Sequence, residues 1–152
     1  MINAVTGLGP RTGTSYVMRA CKDAGLPIHY DPVLEQMLPS SGNPQGYWEA
    51  NPKDLSGLRY GIAKVWPVYL PLPKINRMVI LRRRDLTDQL NSIRKQAVRE
   101  ATLVESLMPQ FYVEQAYQDT LSWLSTSNVD FRVYDTEDLS ININNILDYL
   151  GE

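Results

Sequence analysis

Apolar and polar residues alternate along the chain in short segments whose spacing predicts their structure. Residues 2–6 are short, apolar and partly β-branched, and they run directly into Gly7, which predicts a buried strand. Between residues 14 and 24 the apolar positions recur at helical spacing, and Gly25 follows. The chain is therefore predicted to open with a strand, a glycine-rich turn and an amphipathic helix.

The rest of the chain continues this alternation. We expect further strands at 61–65, 77–81 and 131–134, and helices at 86–104, 113–124 and 143–150. The proline-rich stretch 27–58 is predicted to be loop, with a short helical turn over 32–37. Strands alternating with helices imply parallel strands joined by right-handed crossovers. The predicted fold class is α/β: a three-layer, P-loop-like domain with a central parallel sheet flanked by helices, in one domain over residues 1–152.

Length and composition narrow the class of protein. With 152 residues, 43% of them hydrophobic, the chain is long enough for one domain with a real core. Cys21 and His29 are the only residues of their types, so no zinc site is predicted. The first residues lack the features of a signal peptide, and no apolar stretch approaches the roughly 20 residues of a membrane span. A cytoplasmic protein that does not enter the membrane is expected.

The net charge of −2 conceals a strong asymmetry. Residues 74–99 contain eight of the 15 basic residues and two acids, whereas residues 100–152 contain ten acids and one base. The basic segment indicates a local anion site. The acidic segment argues against nucleic acid as a partner, because nucleic-acid binding usually needs a broad basic face.

The turn between the first strand and the first helix has the composition of a phosphate cradle. It reads GLGPRTGTS over residues 7–15. Glycines let the backbone approach an anion, and the helix N-terminus adds partial positive charge there. Arg11 supplies a full charge, and Thr14 and Ser15 supply hydroxyl donors. The turn is not an ATP-type Walker A loop, because Leu8 and Thr14 stand where that motif has its first glycine and its lysine.

The segment PRTGTS over residues 10–15 resembles the Pro-Lys/Arg-Ser-Gly-Thr-Ser/Thr loop of sulfotransferases that use 3′-phosphoadenosine 5′-phosphosulfate (PAPS). The second signature of that family is an arginine at a strand end, then Asp, with a serine eight residues after the arginine. Arg84, Asp85 and Ser92 have this spacing. The segments GYWE at 46–49 and YDTEDL at 134–139 also look like stretches of the family.

The resemblance implies a set of donor-binding residues. The donor's 5′-phosphosulfate would bind to the cradle, and its 3′-phosphate to Arg84 and Ser92. Arg82 and Arg83 are expected to be solvated surface residues. The implied cradle residues are Arg11, Thr12, Gly13, Thr14 and Ser15.

The implied reaction moves a sulfuryl group from PAPS to a hydroxyl of a small-molecule or carbohydrate acceptor, leaving 3′-phosphoadenosine 5′-phosphate (PAP). Arg11 and Lys64 are proposed to stabilise charge on the leaving oxygen. Glu49 is the first choice for the base that takes the hydroxyl proton, with Glu35 and His29 as alternatives. Four aromatic residues lie in the region expected to face the acceptor or to pack the loop on the core: Tyr47, Trp48, Tyr60 and Trp66.

Two other functions stay open at this point. One is a different P-loop enzyme, such as a small kinase, which would need a lysine elsewhere to replace the missing one. The other is a non-catalytic relative that binds PAP or another anion. Many sulfotransferases close an Arg-Lys-Gly loop over the 3′-phosphate. The sequence, whose last residue is Glu152, does not contain this loop, which suggests the non-catalytic alternative.

Overall fold

The computed structural model describes residues 1–8, 11–37, 46–66, 74–85, 87–92, 95 and 109–152. The strands are β1 (Ile2–Gly7), β2 (Ile28–His29), β3 (Ile62–Lys64), β4 (Ile75–Arg82) and β5 (Asp130–Asp135). The helices are α1 (Thr14–Asp23), α2 (Pro32–Met37), α3 (Pro52–Leu55), α4 (Pro109–Thr126) and α5 (Leu139–Gly151). A 3₁₀ turn (Thr136–Asp138) joins β5 to α5, and residues 87–92 are also helical.

The five strands form one sheet in the order β2-β3-β1-β4-β5, and every pairing is parallel. In the central strand β1, Val5 aligns with Lys64 of β3 on one side and with Val79 of β4 on the other. The predicted α/β class with a central parallel sheet is confirmed. Because the strands are parallel, all of their carboxyl ends lie at one edge of the sheet, where open α/β sheets bind ligands.

The two faces of the sheet carry two separate hydrophobic clusters. Alternate residues of β1 and β4 point to opposite sides, as pleated strands require. Val5 and Val79 pack toward α1 and α5, whereas Ala4 and Met78 pack toward α3 and α4. The sheet is thus the middle of three layers. On the α1 side, burial raises the pKa of the Cys21 thiol to about 12, so this residue acts as a small apolar core residue.

The elements that differ from the sequence-based prediction are short. The two-residue strand β2 and the four-residue helix α3 lie in the 27–58 stretch that was predicted to be loop, while α2 falls where the helical turn was expected. Two residues are too few to show a strand period, and β2 is ordered by its pairing with β3. The predicted helix at 86–104 lies largely outside the described residues, which include its first part at 87–92.

No helix in the described ranges combines the length and the apolar character that crossing a membrane requires.

Candidate functional site

The predicted phosphate cradle lies where β1 leads into α1, at the carboxyl edge of the sheet. Gly13 caps α1 with φ 94°, and a Cβ there would lie 2.5 Å from Leu139 Cδ1. Arg11 also has a positive φ, of 62°. Thr12 is fully buried, and its carbonyl accepts a hydrogen bond of 2.6 Å from Thr136 Oγ1. The 3₁₀ turn after β5 therefore contacts the cradle through this hydrogen bond. Residues 9 and 10 of the predicted loop lie outside the described residues.

Lys64, the last residue of β3, reaches the cradle from the neighbouring strand. Its side chain is 2% exposed, and its Nζ donates to Ser15 Oγ at 3.1 Å, to Glu49 Oε1 at 3.1 Å and to the Tyr47 carbonyl. Burial lowers the pKa of Lys64, and the Glu49 carboxylate opposes that effect. A buried ammonium with three acceptors is fixed in position, so its charge is held at the first turn of α1.

Glu49 lies beside Lys64 in the segment after Gly46. One carboxylate oxygen accepts from Lys64, and the other accepts from Trp66 Nε1 at 3.1 Å. The Glu49 side chain is 25% exposed. Each oxygen retains a free lone pair for a further proton or hydrogen bond. The sequence-predicted base and the sequence-predicted lysine are thus brought into direct contact.

These residues surround one cavity of about 200 Å³. Six of the predicted site residues line it. Aromatic side chains and Arg83, which had been expected at the solvated surface, also line it. The lining residues are Arg11, Gly13, Thr14, Ser15, Tyr16, Tyr47, Glu49, Lys64, Trp66, Arg83 and Thr136. Thr12 is fully buried and does not line the cavity.

The two predicted residues of the second anion site are placed differently. Ser92 Oγ accepts a hydrogen bond of 3.1 Å from Arg11 Nε, which connects the helical segment 87–92 to the cradle. Arg84 is half exposed, and its guanidinium lies 3.5 Å from Asp138 and 3.8 Å from both Asp135 and Glu137. Both residues lie near the carboxyl edge of the sheet. Among the described residues that line the cavity, however, Arg84 is not present.

Arg83 is the charged residue of the cavity that sequence reasoning missed. It lines the cavity, and its Nε donates to the Arg11 carbonyl at 2.8 Å. The available signal was the two-residue period of β4. Continued by one residue, this period puts Arg83 on the same face of the sheet as Val79 and Leu81, which pack toward α1. The strand period alone does not show on which face of the sheet the cradle lies.

The two alternative bases are engaged in other contacts. Glu35 directs its carboxylate to backbone N–H groups, accepting from Tyr47 at 3.0 Å and from Trp48 at 2.8 Å. His29 lies on β2, with its Nε2 2.5 Å from the Tyr60 carbonyl. Neither lines the cavity among the described residues. Glu35 therefore holds the backbone that leads to Glu49, and Glu49 itself faces the cavity.

The four aromatic residues considered for the acceptor region divide into two groups. Tyr47 and Trp66 line the cavity. Trp48 is buried in the core, with Lys22 Nζ 4.5 Å from its ring centre, and Tyr60 is 67% exposed beside His29. Tyr16 of α1, which the sequence did not single out, joins the first group.

Fold and site together define an α/β protein with a cationic cavity at the carboxyl edge of a parallel sheet. No protein-family model, no curated protein and no solved structure matches this chain.

Proposed function

We propose that this protein transfers a sulfuryl group from PAPS to a hydroxyl of a small-molecule or carbohydrate acceptor. The observation that carries the proposal is the contact of 3.1 Å between Lys64 Nζ and Glu49 Oε1, in the cavity above the first turn of α1. This contact puts a cation and a carboxylate side by side at the glycine-rich turn. Transfer to a hydroxyl needs both groups, one for the leaving oxygen and one for the proton.

The donor set of the cavity suits the anionic end of PAPS. The N-terminus of α1 adds partial positive charge, Ser15 adds a hydroxyl, and Arg11 adds a permanent cation. In this proposal Thr12 and Gly13 shape the turn, and Thr14 stands beside Ser15 in the first helical turn. PAPS, when bound, supplies the activated sulfuryl group. The sequence-based assignment of Arg84 and Ser92 to the 3′-phosphate is retained, and in the structure Ser92 contacts Arg11 of the cradle.

The chemical step assigns one task to each charged residue. As the acceptor oxygen bonds to sulfur, and the bond from sulfur to the 5′-phosphate oxygen breaks, the acceptor proton passes to the Glu49 carboxylate. Arg11 and Lys64 stabilise the negative charge that remains on the leaving oxygen of PAP. Trp66 holds the second oxygen of Glu49, which fixes the direction of the carboxylate. Tyr16, Tyr47 and Trp66 give an acceptor ring apolar surfaces to pack on.

A glutamine at position 49 tests the proposal. Glu49→Gln keeps the size of the side chain but removes the base, so we expect PAP binding to persist while sulfuryl transfer slows about 100- to 10,000-fold. Transfer from ³⁵S-labelled PAPS to a panel of alcohols and sugars measures the rate, and a thermal shift with PAP measures binding. The matched control is Glu152→Gln, an exposed glutamate paired with Arg77. Unchanged turnover in the Glu49 variant would remove Glu49 as the base, and absence of transfer in the unmodified protein would remove the activity.

One observation favours a second candidate, an ATP-dependent enzyme such as a small kinase. Although Thr14 occupies the Walker A lysine position, Lys64 brings an ammonium to Ser15 from β3. A lysine there can reach a terminal phosphate from another direction. If ATP with Mg²⁺ stabilises the protein more than PAP does, and Mg²⁺-dependent ATP turnover is measured, this candidate replaces the first.

A further inference from the structure

Three consecutive arginines end β4 and follow it, and they have different surroundings. Arg82 Nε lies 2.8 Å from Asp135, and Arg84 lies within 4 Å of Asp135, Glu137 and Asp138. Both side chains are more than half exposed. Arg83 is partly buried, and it forms no ion pair with any carboxylate in the described part of the chain.

Arg83 is nevertheless held firmly in place. Its Nε donates to the Arg11 carbonyl at 2.8 Å, so its guanidinium is anchored on the cradle itself. Within the described ranges this is the one hydrogen bond that its side chain makes. The two terminal nitrogens of a guanidinium carry four more N–H donors. Since Arg83 lines the cavity, these donors are available to a molecule bound there.

The charge of the cavity points to an anion with two negative charges. Lys64 and Glu49 form an ion pair, so they largely compensate each other. Arg11 and Arg83 are permanently charged, and no carboxylate other than Glu49 lines the cavity among the described residues. Two such charges at one partly enclosed site repel each other, and an anion bound between them offsets this repulsion.

We propose that Arg83 and Arg11 form a clamp for a dianionic phosphate-type group bound at the cradle. The clamp rests on the proposed function for its natural ligand, which is then the phosphosulfate end of PAPS. The 3′-phosphate remains assigned to Arg84 and Ser92, of which Ser92 contacts the clamp residue Arg11. The two arginines approach from different elements, one from the turn after β1 and the other from the end of β4. A planar guanidinium group on each side fixes the orientation of a tetrahedral anion as well as its position.

Inorganic pyrophosphate is the probe that isolates this clamp, because it lacks the nucleoside. We expect Arg83→Gln to weaken pyrophosphate binding about 10- to 100-fold in calorimetry at constant ionic strength, as expected for charge-assisted hydrogen bonds. Arg82→Gln is the matched control, since it removes the same charge one residue away, from a side chain paired with Asp135. We expect it to change pyrophosphate affinity less than about threefold, a change of well under 1 kcal/mol. Arg83→Lys keeps the charge but loses the planar guanidinium group, so an intermediate loss is expected.

The possible results separate the clamp from the proposed activity. Equal pyrophosphate affinity in the Arg83→Gln and Arg82→Gln proteins, or no pyrophosphate binding by the unmodified protein, overturns the clamp. If Arg83→Gln does not fold, as judged by circular dichroism, unchanged affinity in Arg83→Lys overturns it and a loss supports it. A selective loss in the Arg83 variants without any transfer from PAPS keeps the clamp and removes the sulfotransferase proposal.

Discussion

Single residues set the shape of the cradle, and Gly13 is the clearest case. Its φ of 94° lies in the left-handed region, and Leu139 of α5 leaves no room for a Cβ. Any other L-residue would be strained there, at about 1–2 kcal/mol, before it also met Leu139. A glycine at this position therefore allows the turn and α5 to approach each other closely.

Replacing this glycine should destabilise the protein through both effects. We expect Gly13→Ala to lower the free energy of unfolding by about 2–4 kcal/mol, from backbone strain plus overpacking against Leu139. Urea unfolding followed by circular dichroism measures the change. Gly25→Ala is the control, since Gly25 has φ 77° but nothing lies within 4 Å of the position that a Cβ would take. It should lose about 1–2 kcal/mol. Equal losses in the two variants would show that Leu139 does not constrain the turn.

At the same scale, the sequence identified residues that line the cavity but not the contacts between them. The glycine-rich turn, Lys64 and Glu49 were identified from sequence, and the structure places all three at one cavity. The sequence did not reveal that Lys64 contacts Ser15, because those residues are 49 positions apart. Such contacts depend on which strands are neighbours, and a single sequence does not contain that information directly.

At the scale of elements, the segment 46–49 is held in place by a helix that precedes it. Glu35 of α2 accepts hydrogen bonds from the backbone N–H groups of Tyr47 and Trp48. Trp48 has φ 56°, an unfavourable value for a tryptophan, so this turn needs such an external partner. The next residue is Glu49. The position of the proposed base thus depends on a carboxylate that does not line the cavity.

Removing that carboxylate should loosen the turn. We expect Glu35→Ala to lower the free energy of unfolding by about 2–4 kcal/mol, because two partly buried N–H donors lose their acceptor. Glu35→Gln should be intermediate, since its amide oxygen can still accept one of these bonds. Urea unfolding gives the stability, and Asp148→Ala, an exposed acid on α5, is the control and should change it by less than about 0.5 kcal/mol. A loss in Glu35→Ala no larger than the control would contradict the anchoring role.

The end of β4 shows why one site residue was missed at the element scale. A strand period of two predicts that Arg83 points away from Arg82 and Arg84. It does not predict which of the two faces the cradle. Identifying Arg83 would have required the knowledge that Val5 and α1 lie on the Leu81 side. The prediction from sequence rested instead on the spacing between Arg84 and Ser92, and for Ser92 the structure does give a contact with Arg11.

At the scale of the whole molecule, the class of fold was predictable and the strand order was not. Strands alternating with helices imply a parallel sheet, which the structure confirms. The central place of β1, between β3 and β4, follows from long-range pairing that periodicity does not report. β2 is too short for any sequence period, and it exists because β3 offers it a parallel edge.

The charge asymmetry of the chain also acquires a structural meaning at this scale. Basic residues of β4 and the residues directly after it pair with acids near the end of the chain. Arg77 lies 2.7 Å from Glu152, Arg82 lies 2.8 Å from Asp135, and Arg84 contacts the 3₁₀ turn. Three of the eight basic residues in the segment 74–99 are therefore paired with acids in the described part of the molecule. Arg83 stands out from its neighbours because it takes no part in this pairing among the described residues.

These ion pairs should contribute to the free energy of unfolding at low salt and contribute less at high salt. Asp135 contacts both Arg82 and Arg84 and is 20% exposed, so Asp135→Asn should cost about 1 kcal/mol of unfolding free energy at low ionic strength. The cost should shrink in about 1 M NaCl, where the screening length is about 3 Å. Asp148→Asn removes the same charge from an exposed position on α5 and should cost little at either salt concentration. Chemical denaturation by urea, an uncharged denaturant, at about 0.05 and 1 M NaCl measures all three proteins. A cost for Asp135→Asn that stays the same at both concentrations would mean that hydrogen-bond geometry, and not charge pairing, joins β4 to the end of β5.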